Sequence, residues 1–295
     1  MANSRLNGKT ISKKESRMAQ IWKQYKKNKG AVIGLVVFIL IVIIGIAANF
    51  IWDYETDIVA LNASQVKLPP SWEHPFGTDW MGRDMLARTL YGTKYSLIIG
   101  IGATLISFLV GSMLGAFAGY AGGIVEDIIM RIVELLLMIP SILFTILIVY
   151  CLGTSITNLT IALGLTTVPH FARNARAAVM TVRDNEYVEA ARALGAKDLS
   201  ILFKHVIPNA MSPILVQATS RVAGVIIAAA GFSFLGLGVP SPLPEWGAML
   251  SDARKYMLDF PYLVFIPGIA IMITTLSINL IGDGLRDALD PKLKR

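Results

Sequence analysis

Residues 189–208 read EAARALGAKDLSILFKHVIP, a polar interruption between long hydrophobic runs. The spacing predicts two short helices joined at Gly195. Asp184 or Asn185 can cap the first, because their side-chain oxygens accept backbone N–H groups that have no partner in a first helical turn. Glu186 and Glu189 put negative charge in that positive first turn. Gly195 suits the left-handed residue that ends a helix, where a Cβ is strained. Asp198 is placed to cap the second helix, and Pro208, lacking an N–H, starts the chain into the next apolar run. A charged helix–Gly–helix of this size buries too little to fold alone. Spacing leaves two readings open: a piece that docks onto a cytosolic partner, and an amphipathic loop lying on the lipid surface.

The surroundings are membrane-like. The 295 residues are 54% hydrophobic and 16% charged, with a mean hydropathy of +0.60, whereas soluble domains carry about a quarter charged residues. The net charge of +7 gathers beside apolar runs rather than among surface aromatics, so an anionic leaflet explains it better than nucleic acid. The lone Cys151 excludes an internal disulfide and reads as a small buried hydrophobe.

Taken in order, residues 1–30 form a basic tail with nine Lys/Arg. It is too long and basic for a signal-peptide n-region, and Met18–Tyr25 suits an interfacial helix. Residues 31–295 form the membrane unit, with the connecting loop at about 183–208. Six apolar spans are expected: Ala31–Trp52, which is uninterrupted and long enough for a core of about 30 Å, then Tyr95–Ala118, Ile128–Leu152, Ile156–Phe171 running on to Arg176, Pro213–Leu237 and Tyr262–Ile281. Trp52 and Tyr54 mark an interface. Between spans one and two lies a polar loop with a candidate Arg83–Asp84 ion pair. Gly111, Gly115 and Gly119 leave one face of span two bare for close packing. Arg131 and Glu134, three apart, can pair. Glu245-Trp246-Gly247 reads as an interfacial re-entry.

Orientation follows from Lys/Arg placement. With both termini in the cytoplasm, the inside segments hold nine in the tail, six between spans four and five, and four after the last span, against six outside. The positive-inside rule selects this arrangement and puts residues 189–208 in the cytosol.

Chemistry of the chain's own is sparse. Gly8-Lys9-Thr10 lacks the earlier glycine, strand and helix of a phosphate-binding loop. His74, His170 and His205 fall in three different segments, so no metal set is expected. Arg221 is a charge inside span five, and Gln217, four residues before it, shares its helical face. Such a charge costs about 2.5–3.5 kcal/mol at mid-bilayer and should face the bundle interior or water. Two roles stay open for it: a lining residue of a solute path, and an interhelical partner of a carboxylate such as Glu134.

Glu189-Ala190-Ala191, Gly195 and His205-Val206-Ile207-Pro208, so spaced, resemble the EAA loop of ABC-importer permeases. GTDWMGRD (77–84), SFLGLGVPSPLPEWGAML (233–250) and GDGLRDALDPKLK (282–294) extend the likeness over most of the chain. Together they resemble the second permease subunit of the dipeptide/oligopeptide/nickel importer branch, in its dipeptide C-type pattern. One departure is His-Val-Ile-Pro where the general motif has Ile-x-Leu-Pro. The resemblance implies an all-α type I importer permease, working by alternating access in a bacterial or archaeal plasma membrane and without catalysis or cofactor of its own. ATP and Mg would be bound by two partner ATPase subunits. A second permease and an external solute-binding protein would complete the assembly. It also implies that Glu189, Ala190, Ala191, Gly195, His205 and Pro208 form the coupling element seated on the ATPase. A nickel or metal-chelate importer is the alternative within the branch. An ion-coupled carrier is the alternative outside it, disfavoured because the acids cluster at span ends.

Overall fold

The computed structural model describes residues 17–289. The first part of the basic tail, with Gly8-Lys9-Thr10, and the closing Asp290–Arg295 lie outside them. The described residues fold as helices in the order α1 (Arg17–Tyr25), α2 (Lys29–Ile51), α3 (Met85–Ala121), α4 (Gly123–Met138), α5 (Ser141–Leu152), α6 (Ile156–Met180), α7 (Glu186–Ala193), α8 (Asp198–Ile201), α9 (Ile207–Phe234), α10 (Trp246–Ala253) and α11 (Tyr262–Leu289). Four stretches are long and apolar enough to cross a membrane: Lys29–Ile51, Met85–Ala121, Asp198–Phe234 and Tyr262–Leu289. The pair α4–α5 makes a fifth if its two halves are one broken span. The 25-residue α6 is not among them. It is interrupted by Asn158, Thr160, Thr166, Thr167 and His170, and it is largely buried by its neighbours.

The centre of the bundle is α3 against α6. Gly111, Gly115 and Gly119 lie directly on the backbone of α6: a Cβ on each would fall 2.5, 2.1 and 2.8 Å from the carbonyl oxygens of Val168, Ala172 and Arg176. The constant offset means that the two helices run parallel with bare backbone in register, the close approach that small residues permit. Antiparallel α2 and α11 close the other side, where Gly284 admits Ala31 and the Tyr25 ring.

Several expectations are corrected. The second span begins at Met85, not Tyr95, because Asp84 accepts the backbone N–H of Ala87 at 2.8 Å and so caps a helix ten residues earlier. The third span is not one rod. It bends by 89° between α4 and α5, where Pro140 can neither donate nor fit a helix interior. The fifth span does not start at Pro213, which lies inside α9. The second limb of the polar interruption runs from α8 through a π-helical turn (Leu202–Val206) into α9. Pro208 therefore sits in the first turn of a helix already under way. Lys197, not Asp198, holds the N-cap position of α8, and Asn185 precedes α7 without a side-chain cap bond. Cys151 is exposed rather than buried, as apolar side chains are where the surrounding solvent is lipid.

The loop between α2 and α3 is built on buried charge. Arg83 pairs with Asp79, not Asp84, donating from Nε at 2.6 Å, and its side chain is fully buried. Arg88 approaches the same carboxylate at 3.5 Å and donates to the Ile58 carbonyl at 2.6 Å. Asp252, on α10, lies 4.0 Å from Arg83. Burial raises the Asp252 carboxyl above its ordinary range, while Arg83 and Arg88 draw it back down. Asp84 instead bonds His74 Nδ1 at 2.7 Å. Asp79→Ala is expected to destabilise the protein by about 3–5 kcal/mol, since it strands buried guanidinium charge. Arg131→Ala breaks the Arg131–Glu134 pair, which is present at 3.3 Å but exposed, and should cost under about 1 kcal/mol. Thermal unfolding of both variants in detergent checks the difference.

Candidate functional site: a two-faced elbow and a cavity beside Arg221

The segment 186–206 forms an elbow with two unlike faces. The first limb, α7, ends in a Schellman closure: Ala196 N–H donates to Ala191 O at 3.1 Å and Gly195 N–H to Arg192 O at 3.0 Å. Gly195 has φ +81°, so the two limbs turn at a residue whose conformation disfavours any Cβ. The underside, Val188, Ile201, Leu202 and Val206, is fully buried against Ala116, Phe171, Ala175 and Val179 of α3 and α6. Polar ties hold the elbow and the helix ends beside it. Tyr120 O–H donates to Asp198 at 2.8 Å. Arg183 donates to the Gly119 carbonyl at 2.6 Å, and Arg176 pairs with Glu126.

The outer face is open. Glu189, Ala190 and Gly195 are exposed there, with Leu194 88% and Leu199 62% accessible. Ala191 turns partly inward onto the buried cluster. His205 is half-buried in the π turn, its carbonyl accepting from Asn209, and Pro208 is exposed just beyond. The six elbow residues singled out in the sequence thus fall on one small body. Gln217 and Arg221 do not join them, since Arg221 lies thirteen residues beyond Pro208, about 20 Å along a helix.

Arg221 borders a cavity of about 170 Å³ between α5, α6 and α9. Among the described residues it forms no ion pair, and its Nε and the Gln217 Oε1 are buried without a partner. Glu134 is therefore not its partner.

A family model described as "binding-protein-dependent transport system inner membrane component" matches residues 111–295, the part that holds both the elbow and the cavity. The chain belongs to this family. A second model, the N-terminal membrane domain of oligopeptide transport permease C, matches residues 16–70 of the permease. A dipeptide transport system permease protein of Alkalihalophilus pseudofirmus is 43% identical over 93% of this chain and 90% of its own length. The oligopeptide permease OppC of Bacillus subtilis is 41% identical, covering 97% and 93%. A glutathione transport permease of Pectobacterium atrosepticum is 39% identical, covering 93% and 91%. Among solved structures, the inward-facing methionine ABC transporter MetNI matches with a TM-score of 0.58 at 18% identity, covering 70% of this chain and 98% of that one. That likeness shows the fold, the all-helical one of ABC-importer permeases.

Sequence reading of the permease missed Leu194 and Leu199, the most exposed apolar side chains of the elbow. The available signal was two leucines flanking a helix-ending glycine inside a charged segment. It also missed the hydroxyls of α5 and α6 around Arg221, which only a tertiary contact brings to α9.

Proposed function

We propose that this permease is half of the translocation path of an ATP-driven importer of di- or oligopeptides in a bacterial plasma membrane. It crosses six times, with α4–α5 as one broken crossing and α6 as the fourth, and keeps both termini in the cytoplasm. Residues 1–30 then form a basic tail whose helix α1 lies at the anionic inner leaflet, and residues 31–295 form the membrane unit. The Lys/Arg asymmetry supports that orientation. The names of the relatives favour a peptide over a nickel chelate. An ion-coupled carrier would need acids at mid-span, and α2, α3, α6 and α9 hold no Asp or Glu, while those of α11 stand in its last two turns.

The observation that carries the reading is the elbow: a buried underside, an open face where Leu194 and Leu199 stand among charged residues, and a second limb continuous with α9. A groove in an ATPase subunit that seats Glu189, Ala190, Ala191, Leu194 and Gly195 would move α9 whenever that subunit moves, with His205 and Pro208 stiffening the second limb. ATP and Mg belong to two such subunits, and this chain needs no cofactor of its own. A second permease supplies the other half of the path, and an external binding protein delivers solute, which Gln217 and Arg221 meet inside. Co-expression of the assembled importer and reconstitution into liposomes tests this. ATP-dependent accumulation of a dipeptide is expected. Uptake that persists without the ATPase subunit and follows an ion gradient would contradict it.

A further inference from the structure

One face of α9 carries Gln217, Arg221, Gly224, Ala228 and Gly231. Gly224 and Gly231 are unlike the glycines of α3, because a Cβ on either would meet nothing within 4 Å. A glycine inside a helix lowers its stability relative to alanine, and packing within this chain does not explain these two. Both lie C-terminal to the half-buried Arg221 on α9, Gly224 within one turn of it, and the Arg221 Nε has no partner. The cavity beside them is lined by Ser141 and Thr145 of α5 and Thr166 and Thr167 of α6. Three of these hydroxyls are already committed. Thr145 donates to Ser141 O at 2.9 Å, Thr166 to Leu163 O at 3.0 Å and Thr167 to Leu163 O at 2.9 Å. A hydroxyl that has donated its hydrogen offers only lone pairs. With Ile142, Leu163, Val225, Ala228 and Phe232 completing its wall, the cavity presents one fixed cation and a few hydroxyl acceptors in a mostly apolar surround, open at Gly224.

That set complements a carboxylate with an N–H group next to it. We propose that the cavity is a transit site for the C-terminal end of a peptide, with Arg221 taking the carboxylate and the α5 and α6 hydroxyls accepting the last amide N–H. The proposal rests on the peptide-importer reading above and makes Arg221 a specificity-determining residue.

The test compares uptake of one dipeptide with uptake of its C-terminal amide by the reconstituted importer, for the wild type, Arg221→Gln and Arg221→Lys. Comparing each substrate between variants cancels the binding protein's own preference. A hydrogen bond to a charged group is worth enough that Arg221→Gln should slow free-acid uptake about tenfold or more. Amide uptake should stay within about twofold, and Arg221→Lys should recover part of the free-acid rate, because the charge is kept but the fork is lost. Equal losses for acid and amide would assign Arg221 a structural role and overturn the proposal, as would unchanged free-acid uptake in Arg221→Gln. Wild-type importer that accumulates neither substrate overturns the peptide reading itself, and this proposal with it.

Discussion

Leu194→Glu is expected to abolish ATP-driven uptake while leaving the isolated permease as stable as before. Leu194 is 88% exposed, and exposed positions rarely change stability by more than about 0.5 kcal/mol. Seated in a partner's groove, the same side chain would be a central apolar anchor. Loss of such an anchor costs about 2 kcal/mol or more, roughly thirtyfold in affinity, and a buried carboxylate adds its own desolvation cost. Gly195→Leu should act in the same direction by a different route, since a left-handed conformation costs a Cβ-bearing residue about 1–2 kcal/mol. Its position is open within the chain, so the strain falls on the turn between the limbs and not on the bundle. The measurements are thermal unfolding of the permease alone, retention of the ATPase subunit on affinity purification, and uptake. Normal retention and normal uptake in both variants would remove the elbow's assigned role.

Gly115→Leu is expected to do the opposite: to destroy the bundle before any question of coupling arises. Its Cβ would lie 2.1 Å from the Ala172 carbonyl oxygen and 2.8 Å from its carbon. Both are backbone atoms, so no rotamer change relieves the overlap and α3 must part from α6. Overpacking that a side chain can absorb costs about 1–3 kcal/mol. Separation of two helices along three consecutive glycine contacts should exceed this range, and the protein should fail to accumulate in the membrane. Gly268→Leu, in α11, meets open space and serves as the control, expected at normal levels.

How much of this was legible in the sequence depended on the range of the interaction. Gly195 could be read because a helix end needs a left-handed residue locally. The Gly111–Gly115–Gly119 face was readable because a four-residue period has one packing meaning. The break at Pro140 carried its own signal, but a continuous apolar run masked it. The early start of α3 was hidden because Asp84 sits among residues that also suit turns. The pairing of Arg83 with Asp79 rather than Asp84, and the placement of Thr145, Thr166 and Thr167 around Arg221, depend on contacts between distant segments. Cys151 was misread because burial rules for water invert when lipid is the solvent.

Force is expected to enter the permease through the exposed face of the elbow. The most direct measurement places a cysteine at Leu194 in a Cys151→Ser background, co-expresses the ATPase subunit with a single surface cysteine in its groove, and applies a short bifunctional crosslinker to inside-out membrane vesicles. The account predicts a permease–ATPase adduct whose yield changes with the nucleotide bound, and which arrests uptake. A Leu194→Cys variant that reacts only with reagent outside the cell, or that never crosslinks in a complex active for uptake, would contradict it.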